Sequence, residues 1–536
     1  MKKILGIVVL CAVAVSAIAV PARREGILRT AADGTEKMVY LHGDAFYHFI
    51  TDSEGRWLDD TTLEPLTEEA QAARAEQLSA HAKARRAPQQ RRIGGQINLA
   101  PRGLIVLVNF KDLAFTTPID TIKNMIDGEN FTRNYTNTYT YQGRQVTEHI
   151  TCRGSAKQYF HDQSWGQYNP VFDVVGPVTL SQNMAYYGKN DSRGNDMHVD
   201  DMVREACLLA DQEGADYNLY DNNDDGEVDF VYFIYAGEGE ADGGAATTIW
   251  PHNYDYQYYG STSFTVDGKT VGNYACSNEI NHYGGNYAGI GTFCHEFSHV
   301  LGLPDLYETN NPSTGLHTLC DWDILDYGPY LNDGNTPPAY SAYERFFMGW
   351  LTPRVLSNPE LVTLPELNTA DENRKAVLLC AGDQHNLNGA DPSPTTFYLL
   401  EHREKTGWDK YLPGKGLLIT KIKYNYENWA YNRVNNSSYN MGVDLIEARE
   451  NTSQVGATTD AYPAGATRWT GFTGHEVTEI MLKNGLISFS YRGGTEALDA
   501  VMTTEATAKM LHDGRVVIIR GGKAYDLSGR LINIEQ

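Results

Sequence analysis

The fold turns on Cys294-His295-Glu296-Phe297-Ser298-His299-Val300-Leu301-Gly302-Leu303-Pro304-Asp305. On a helix, His295 and His299 stand at i and i+4, so both imidazoles leave one face a turn apart and converge on a single cation. Glu296 lies beside the pair, placed to take a proton from a metal-held water without being a ligand itself. Gly302 supplies the left-handed residue that ends the helix, and Pro304 forbids its continuation. The reversal that follows brings Asp305 back toward the metal as a third ligand. Three protein ligands with one open position make a catalytic zinc site, whereas a structural zinc closes all four. His-Glu-x-x-His alone arises by chance in roughly one chain in a hundred of this length, and the fixed Gly and Asp lower that about two-hundredfold.

Working outward, His198, His252, His282 and His317 each stand alone and read as structural. Cys294 neighbours His295, but its place on the metal helix favours packing over a nucleophilic role. A thermolysin-like arrangement would draw its third ligand from a downstream glutamate, and the Gly302/Asp305 pair argues against it.

The run Gly289-Ile290-Gly291-Thr292-Phe293-Cys294 into this helix, closing on Leu303-Pro304-Asp305-Leu306-Tyr307, resembles the immune inhibitor A-type metallopeptidases, secreted bacterial zinc proteases of the metzincin class. Trp322-Asp323-Ile324-Leu325-Asp326-Tyr327-Gly328-Pro329-Tyr330 is similar to that family's Met-turn, and Thr336-Pro337-Pro338-Ala339-Tyr340-Ser341-Ala342-Tyr343-Glu344 follows it. Leu325 stands where the family has methionine; as the apolar floor beneath the metal it is a near volume-conserving replacement. The resemblance implies an α+β metzincin-like catalytic domain, a mixed sheet plus the active-site helix, with zinc on His295, His299 and Asp305 and Glu296 as general base. It also places Tyr327, two residues beyond Leu325, where a hydroxyl would meet the developing oxyanion; a packed aromatic in a tyrosine-rich chain fits that position equally.

The chain has 536 residues, 44 Lys and Arg against 68 Asp and Glu, and a net charge of −24. So acidic a surface repels phosphate backbones, which excludes nucleic acid as a partner. Lys2 and Lys3 precede an apolar run from Ile4 to Val15, and Ala17-Ile18-Ala19 offers a small-residue cleavage site, so residues 1–19 read as a secretory signal. The run is short for a span of about 20 residues, and no other stretch is apolar enough to cross a membrane. The expected protein is secreted or on the cell surface. Cys11 would leave with the signal; Cys152, Cys207, Cys276, Cys294, Cys320 and Cys380 remain, either bridged or as buried thiols.

Residues 20–100 read as a small prodomain and basic linker. Short alternating stretches at Lys37–Leu41 and Phe46–Ile50 precede a helical segment from Glu68 to Ala84, then Arg85-Arg86-Ala87-Pro88 and Arg91-Arg92-Ile93-Gly94-Gly95. The basic stretch fits a processing site or a plain linker. No cysteine lies between Cys11 and Cys152, so latency through a thiolate on zinc is excluded within this segment. A carboxylate or simple occlusion would have to serve.

The catalytic domain, residues 101–355, opens on the apolar run Gly103–Phe110, a fully buried strand. A helical stripe follows over His198–Asp211, then Asp221-Asn222-Asn223-Asp224-Asp225-Gly226-Glu227-Val228-Asp229 and a strand from Phe230 to Tyr235. Asp221, Asn223, Asp225 and Asp229 fit the start of a calcium loop, but Tyr232 stands where the closing glutamate belongs, and a plain Asp/Gly turn fits as well. Tyr274–Ile280 is expected to be the edge strand on which an extended substrate pairs. Residues 356–494 break into short strands at Ala376–Leu379, Thr396–Leu400, Gly416–Thr420 and Leu486–Tyr491, a β-sandwich module. In the tail, 495–536, a hairpin around Val516–Ile519 precedes Tyr525-Asp526-Leu527-Ser528-Gly529-Arg530, which resembles a type IX secretion sorting segment; the ending Ile534-Glu535-Gln536 departs from the usual basic terminus. The function expected is zinc-dependent endopeptidase acting on protein or peptide substrates. The rival is a non-catalytic surface adhesin that binds through its β-rich module. Specificity, disulfide pairing and oligomeric state are not legible.

Overall fold

A six-stranded mixed sheet carries the site. Its order is Val171–Thr179, Arg102–Asn109, Val231–Glu238, Asn273–Ile280, His252–Asp255, Ala17–Ile18. The first four strands run parallel; His252–Asp255 lies antiparallel to Asn273–Ile280, and Ala17–Ile18 antiparallel to His252–Asp255. The computed structural model describes residues 17–31, 33–45, 47–85, 101–141, 144–191, 194–255, 263–282, 286–310, 318–369, 375–437, 439–449, 456–495, 507–512, 515–520, 523–525 and 531–532. The apolar run 4–15, the linker 86–100, His317 and most of the sorting-like segment lie outside them.

The apolar run at 103–110 forms the expected buried strand because both of its faces are covered. Leu104, Val106 and Val108 pack with the helix Val199–Gln212 and with the residues before 85; Ile105 and Leu107 pack on the side of the metal helix, Gly291–Val300. Phe293 and Phe297 of that helix meet Phe172, Tyr232 and Phe230 edge-on or tilted, an aromatic cluster that fixes its distance from the sheet.

One expectation is corrected. Tyr274–Ile280 is an interior strand, bonded on both sides; the described strand beyond it is His252–Asp255. A four-residue strand opening Trp250-Pro251-His252 has too little alternation and too few β-branched residues to be read from sequence.

Before the large sheet, strands Ile27–Thr30, Glu36–Asp44 and Tyr47–Thr51 form a meander, and the helix Glu68–Arg85 follows. After it, two sheets face each other: Arg354–Val355, Ala376–Cys380, Thr396–Arg403, Gly416–Lys423 and Val443–Leu445 in one, Glu360–Pro365, Leu486–Tyr491 and Val477–Lys483 in the other. Val377, Leu379, Leu400 and Ile419 pack between these sheets, while Leu378, Leu399 and Leu418, pointing the other way, join the core around the metal helix. The five-stranded sheet is therefore buried on both faces, and the region after 355 is built into the wall of the site. The six cysteines among the described residues are buried and free.

Candidate metal centre and the cleft around it

The metal helix begins where a loop crosses it closely. A Cβ on Gly291 would lie 1.9 Å from the Pro329 carbonyl oxygen, so only glycine fits. It ends as its sequence predicts: Gly302 has φ +96°, its N–H bonds the His299 carbonyl at 2.9 Å, and Leu303 N–H bonds the Ser298 carbonyl at 3.1 Å. The chain then turns back and brings Asp305 to the histidines. Asp305 Oδ1 lies 3.3 Å from His295 Nε2 and 3.2 Å from His299 Nε2, and the two Nε2 atoms are 3.1 Å apart. Among the described residues this is the one cluster of three side chains spaced to hold a metal ion.

The tautomers follow from the neighbours. His295 Nδ1 meets the Ile324 carbonyl at 2.7 Å and His299 Nδ1 meets the Leu303 carbonyl at 2.8 Å. A carbonyl only accepts, so each Nδ1 carries the proton and each Nε2 a lone pair. Two lone pairs and a carboxylate oxygen facing one another in a buried site repel unless a cation sits among them, and an N,N,O donor set suits zinc. Burial alone would raise the Asp305 pKa; a positive charge at the imidazole side outweighs it and holds the carboxyl well below its usual range.

Two supports of this centre come from far along the chain. The Ile324 carbonyl belongs to the Trp322–Tyr330 turn, and the Leu325 carbonyl accepts from Leu306 N–H at 2.8 Å, so the turn lies against both the helix and the Asp305 reversal. Leu325 is wholly buried, as an apolar floor requires. The other support is Asn432, after the short helix Tyr426–Ala430: its amide donates to Asp305 Oδ2 at 2.6 Å and its carbonyl accepts from Asp305 N–H at 2.7 Å. Sequence reasoning missed Asn432; its sole signal was the asparagine-rich run Asn432-Arg433-Val434-Asn435-Asn436.

The cleft holds residues 17–21 of the same chain. Ala17–Ile18 pairs with Asn253 and Tyr254, and Val20 N–H then donates to Glu296 Oε1 at 2.8 Å. The Tyr307 hydroxyl donates to the Ala19 carbonyl, Trp250 Nε1 to the Val20 carbonyl at 3.1 Å, and the Tyr330 hydroxyl to the Pro21 carbonyl at 2.6 Å. The Ala19–Val20 peptide thus lies with its N–H on the carboxylate and its oxygen on a hydroxyl. Tyr327 is engaged otherwise: the Arg24 guanidinium lies 3.4 Å over its ring.

The remaining sequence candidates are elsewhere. Asp221 pairs with Lys269 Nζ at 2.6 Å and accepts from Asp225 and Gly226 N–H; Asn223 donates to Asp225 at 2.9 Å, and Asp229 accepts from Asn222 N–H at 2.6 Å. This is a turn closed by its own donors with an ammonium at its acidic side. His198 lies 3.3 Å from Asp201, His252 bonds the Trp250 carbonyl and Tyr274, and His282 bonds Glu238 at 2.9 Å. None of the three reaches the metal cluster.

A helix-borne histidine pair, a returning aspartate and an adjacent carboxylate form a metal centre of the kind metallopeptidases use. Residues 95–351 match the family described as immune inhibitor A peptidase M6, catalytic domain. It is 28% identical over 282 residues to the pre-pro-metalloprotease PrtV of Vibrio cholerae, an overlap of 46% of this chain and 30% of that protein. Over 278 residues it is 25% identical to immune inhibitor A of Bacillus thuringiensis, 46% of this chain and 39% of that protein. The match therefore spans between about a third and two fifths of those relatives. No helix among the described residues is long and apolar enough to cross a membrane.

Proposed function

We propose that this chain is the precursor of a secreted zinc endopeptidase and that its N-terminal segment keeps it latent by filling the cleft. The observation that carries this is the Ala19–Val20 peptide, whose N–H meets Glu296 Oε1 at 2.8 Å and whose oxygen meets Tyr307, beside the His295/His299/Asp305 cluster. A substrate bound the same way runs antiparallel to His252–Asp255 with its scissile bond at that position.

His295, His299 and Asp305 would hold the zinc, which when bound supplies Lewis-acid polarisation and a water acidic enough to lose a proton near neutral pH. Glu296 accepts the proton of the attacking water and returns it to the leaving nitrogen, the atom whose place Val20 N occupies. Tyr307 donates to the carbonyl oxygen as it gains charge, and Tyr327 is given the separate work of holding Arg24. Trp250 and the edge strand align the substrate backbone. Cleavage after Ala19, the signal site read from the sequence, would leave Val20 with an amine at Glu296 and the rest of the segment still seated. Residues 20–100 would form the prodomain and linker, 101–355 the catalytic domain, 356–494 a β-sandwich domain, and 495–536 a sorting-like tail. Calcium is not part of this proposal, since Lys269 stands where a second cation would approach Asp221.

The test is hydrolysis of a denatured protein by the activated chain, with and without chelator, beside Glu296→Ala. We expect chelator to abolish turnover. Glu296→Ala should keep the metal and the fold and lose hydrolysis by several orders of magnitude. Undiminished turnover by that variant would sink the proposal.

A further inference from the structure

We infer that Asp242 and Asp333 form a subsite that selects a basic side chain, arginine above lysine, at the fourth substrate residue beyond the scissile bond. The inference rests on the peptidase function proposed above, and it names what that site prefers.

The register comes from the segment in the cleft. With the Ala19–Val20 peptide at Glu296 and Tyr307, Val20 is the first residue beyond the bond and Arg23 the fourth. Arg23 turns into a recess lined by Ala241, Asp242, Asn281, Tyr330 and Asp333. Its Nη1 donates to Asp242 Oδ1 at 2.8 Å and to Asn281 Oδ1 at 3.0 Å, and its Nη2 donates to Asp333 Oδ1 at 3.0 Å. Its backbone N–H bonds the Ala241 carbonyl at 2.9 Å, so the main chain is still held at this depth. The Nε atom turns back to Glu25 of the same segment, a half-exposed side chain.

The acids are set by the catalytic scaffold. Asp242 Oδ2 accepts the His282 N–H at 2.9 Å. Asp333 Oδ2 accepts from Asn137 at 3.2 Å and from the Tyr135 hydroxyl at 3.4 Å, both on the strand Thr132–Tyr141. Both carboxylates therefore have fixed directions that converge on the place of the guanidinium.

With the segment seated, the Asp242 and Asp333 side chains have 9% and 4% of their surface exposed, and its departure leaves the two carboxylates facing one another without a cation. Buried like charges are costly, and a cation between them relieves both. Burial pushes the Asp242 carboxyl above its ordinary range even with Arg23 alongside. A planar fork reaches the two acids from separate nitrogens and the amide with the second hydrogen of Nη1; an ammonium reaches the same three oxygens only by shortening one contact at the expense of another.

The test uses the full chain, zinc-loaded and activated by limited proteolysis, on four quenched peptides that differ only at the fourth residue beyond the cleaved bond: Arg, Lys, Gln or Glu. We expect kcat/KM in that order, with Arg exceeding Gln by about tenfold or more, as for one charge-assisted bond in a dry site. Asp333→Asn should bring the Arg-to-Gln ratio toward one, and so should Asp242→Asn; a wild-type ratio in both variants would overturn the assignment of the subsite to these acids. Equal cleavage of the four peptides by the wild-type chain would overturn the subsite and leave the peptidase function standing. No Glu296-dependent cleavage of any peptide would overturn the peptidase function itself.

Discussion

The metal helix Gly291–Val300 and the segment Ala17–Glu25 meet at one carboxylate, Glu296, yet they are held by opposite kinds of structure. The helix carries its chemistry locally: His299 lies four positions after His295, and Asp305 six further on. The segment has almost no local structure, and its partners Tyr307, Trp250, Asp242 and Asp333 lie more than two hundred residues away. A site built from periodicity can be read from sequence; a ligand built from tertiary contacts cannot. The two should also respond differently to mutation, the helix through metal and turnover, the segment through access.

The largest effect expected from breaking that pairing is at Arg23. Arg23→Ala leaves Asp242 and Asp333 facing each other without their cation, a loss of about 3 kcal/mol when one partner of a buried pair is removed. The segment should then leave the cleft far more often. Limited proteolysis of the unprocessed chain would show faster cutting within residues 17–31, with bound metal unchanged. Equal cutting rates would mean that the backbone contacts alone hold the segment.

Next comes Tyr307→Phe, which removes the hydroxyl at the Ala19 carbonyl. Loss of one such donor costs about a hundredfold in kcat. Steady-state kinetics of the activated chain should show that fall with KM little changed, whereas Tyr327→Phe should mainly loosen Arg24. A larger fall in kcat for Tyr327→Phe would exchange the two roles.

Particular residues show where legibility stops. The helix over 199–212, the buried strand at 102–109 and the strand Leu486–Tyr491 follow from apolar period and were readable within a residue or two. Gly302 was readable because only a left-handed residue ends a helix that way, and it has φ +96°. The strand His252–Asp255 was not, being four residues long and set by pairing with Asn273–Ile280 rather than by its own pattern. Ala17-Ile18-Ala19 reads as a run of small and apolar residues, but its seat at Tyr307 and Asn253 depends on where distant elements fold. Asn432 combines both problems: polar residues in loops carry no period, and it belongs to a region that reads as a separate module.

That makes Asn432 the next test. Asn432→Ala frees Asp305 Oδ2 and its N–H without touching a metal-facing atom. Removing such an outer hydrogen bond weakens metal binding by about ten- to a hundredfold. Competition against a chelator of known affinity would measure it. An unchanged affinity would return the region after 355 to the status of a separate module.

The smallest effect concerns pH on the segment's side. His282 lies next to the Arg23 recess, its N–H on Asp242, and its ring Nδ1 meets Glu238 Oε2 at 2.9 Å. The hydrogen bond to Glu238 raises the imidazole above its ordinary 6.5, against the opposing pull of burial. A raised folded value means the fold favours the imidazolium, so this stabilisation is complete below about 6.5 and fades as pH rises through the raised value. The pair is partly exposed, which limits it to about 0.5 kcal/mol. In denaturant titrations, wild type should exceed His282→Gln by that margin at pH 5.5 and converge with it at alkaline pH. A gap that widened with pH would mean that the neutral ring carries the contact, and the proton would then be no part of how the recess is held.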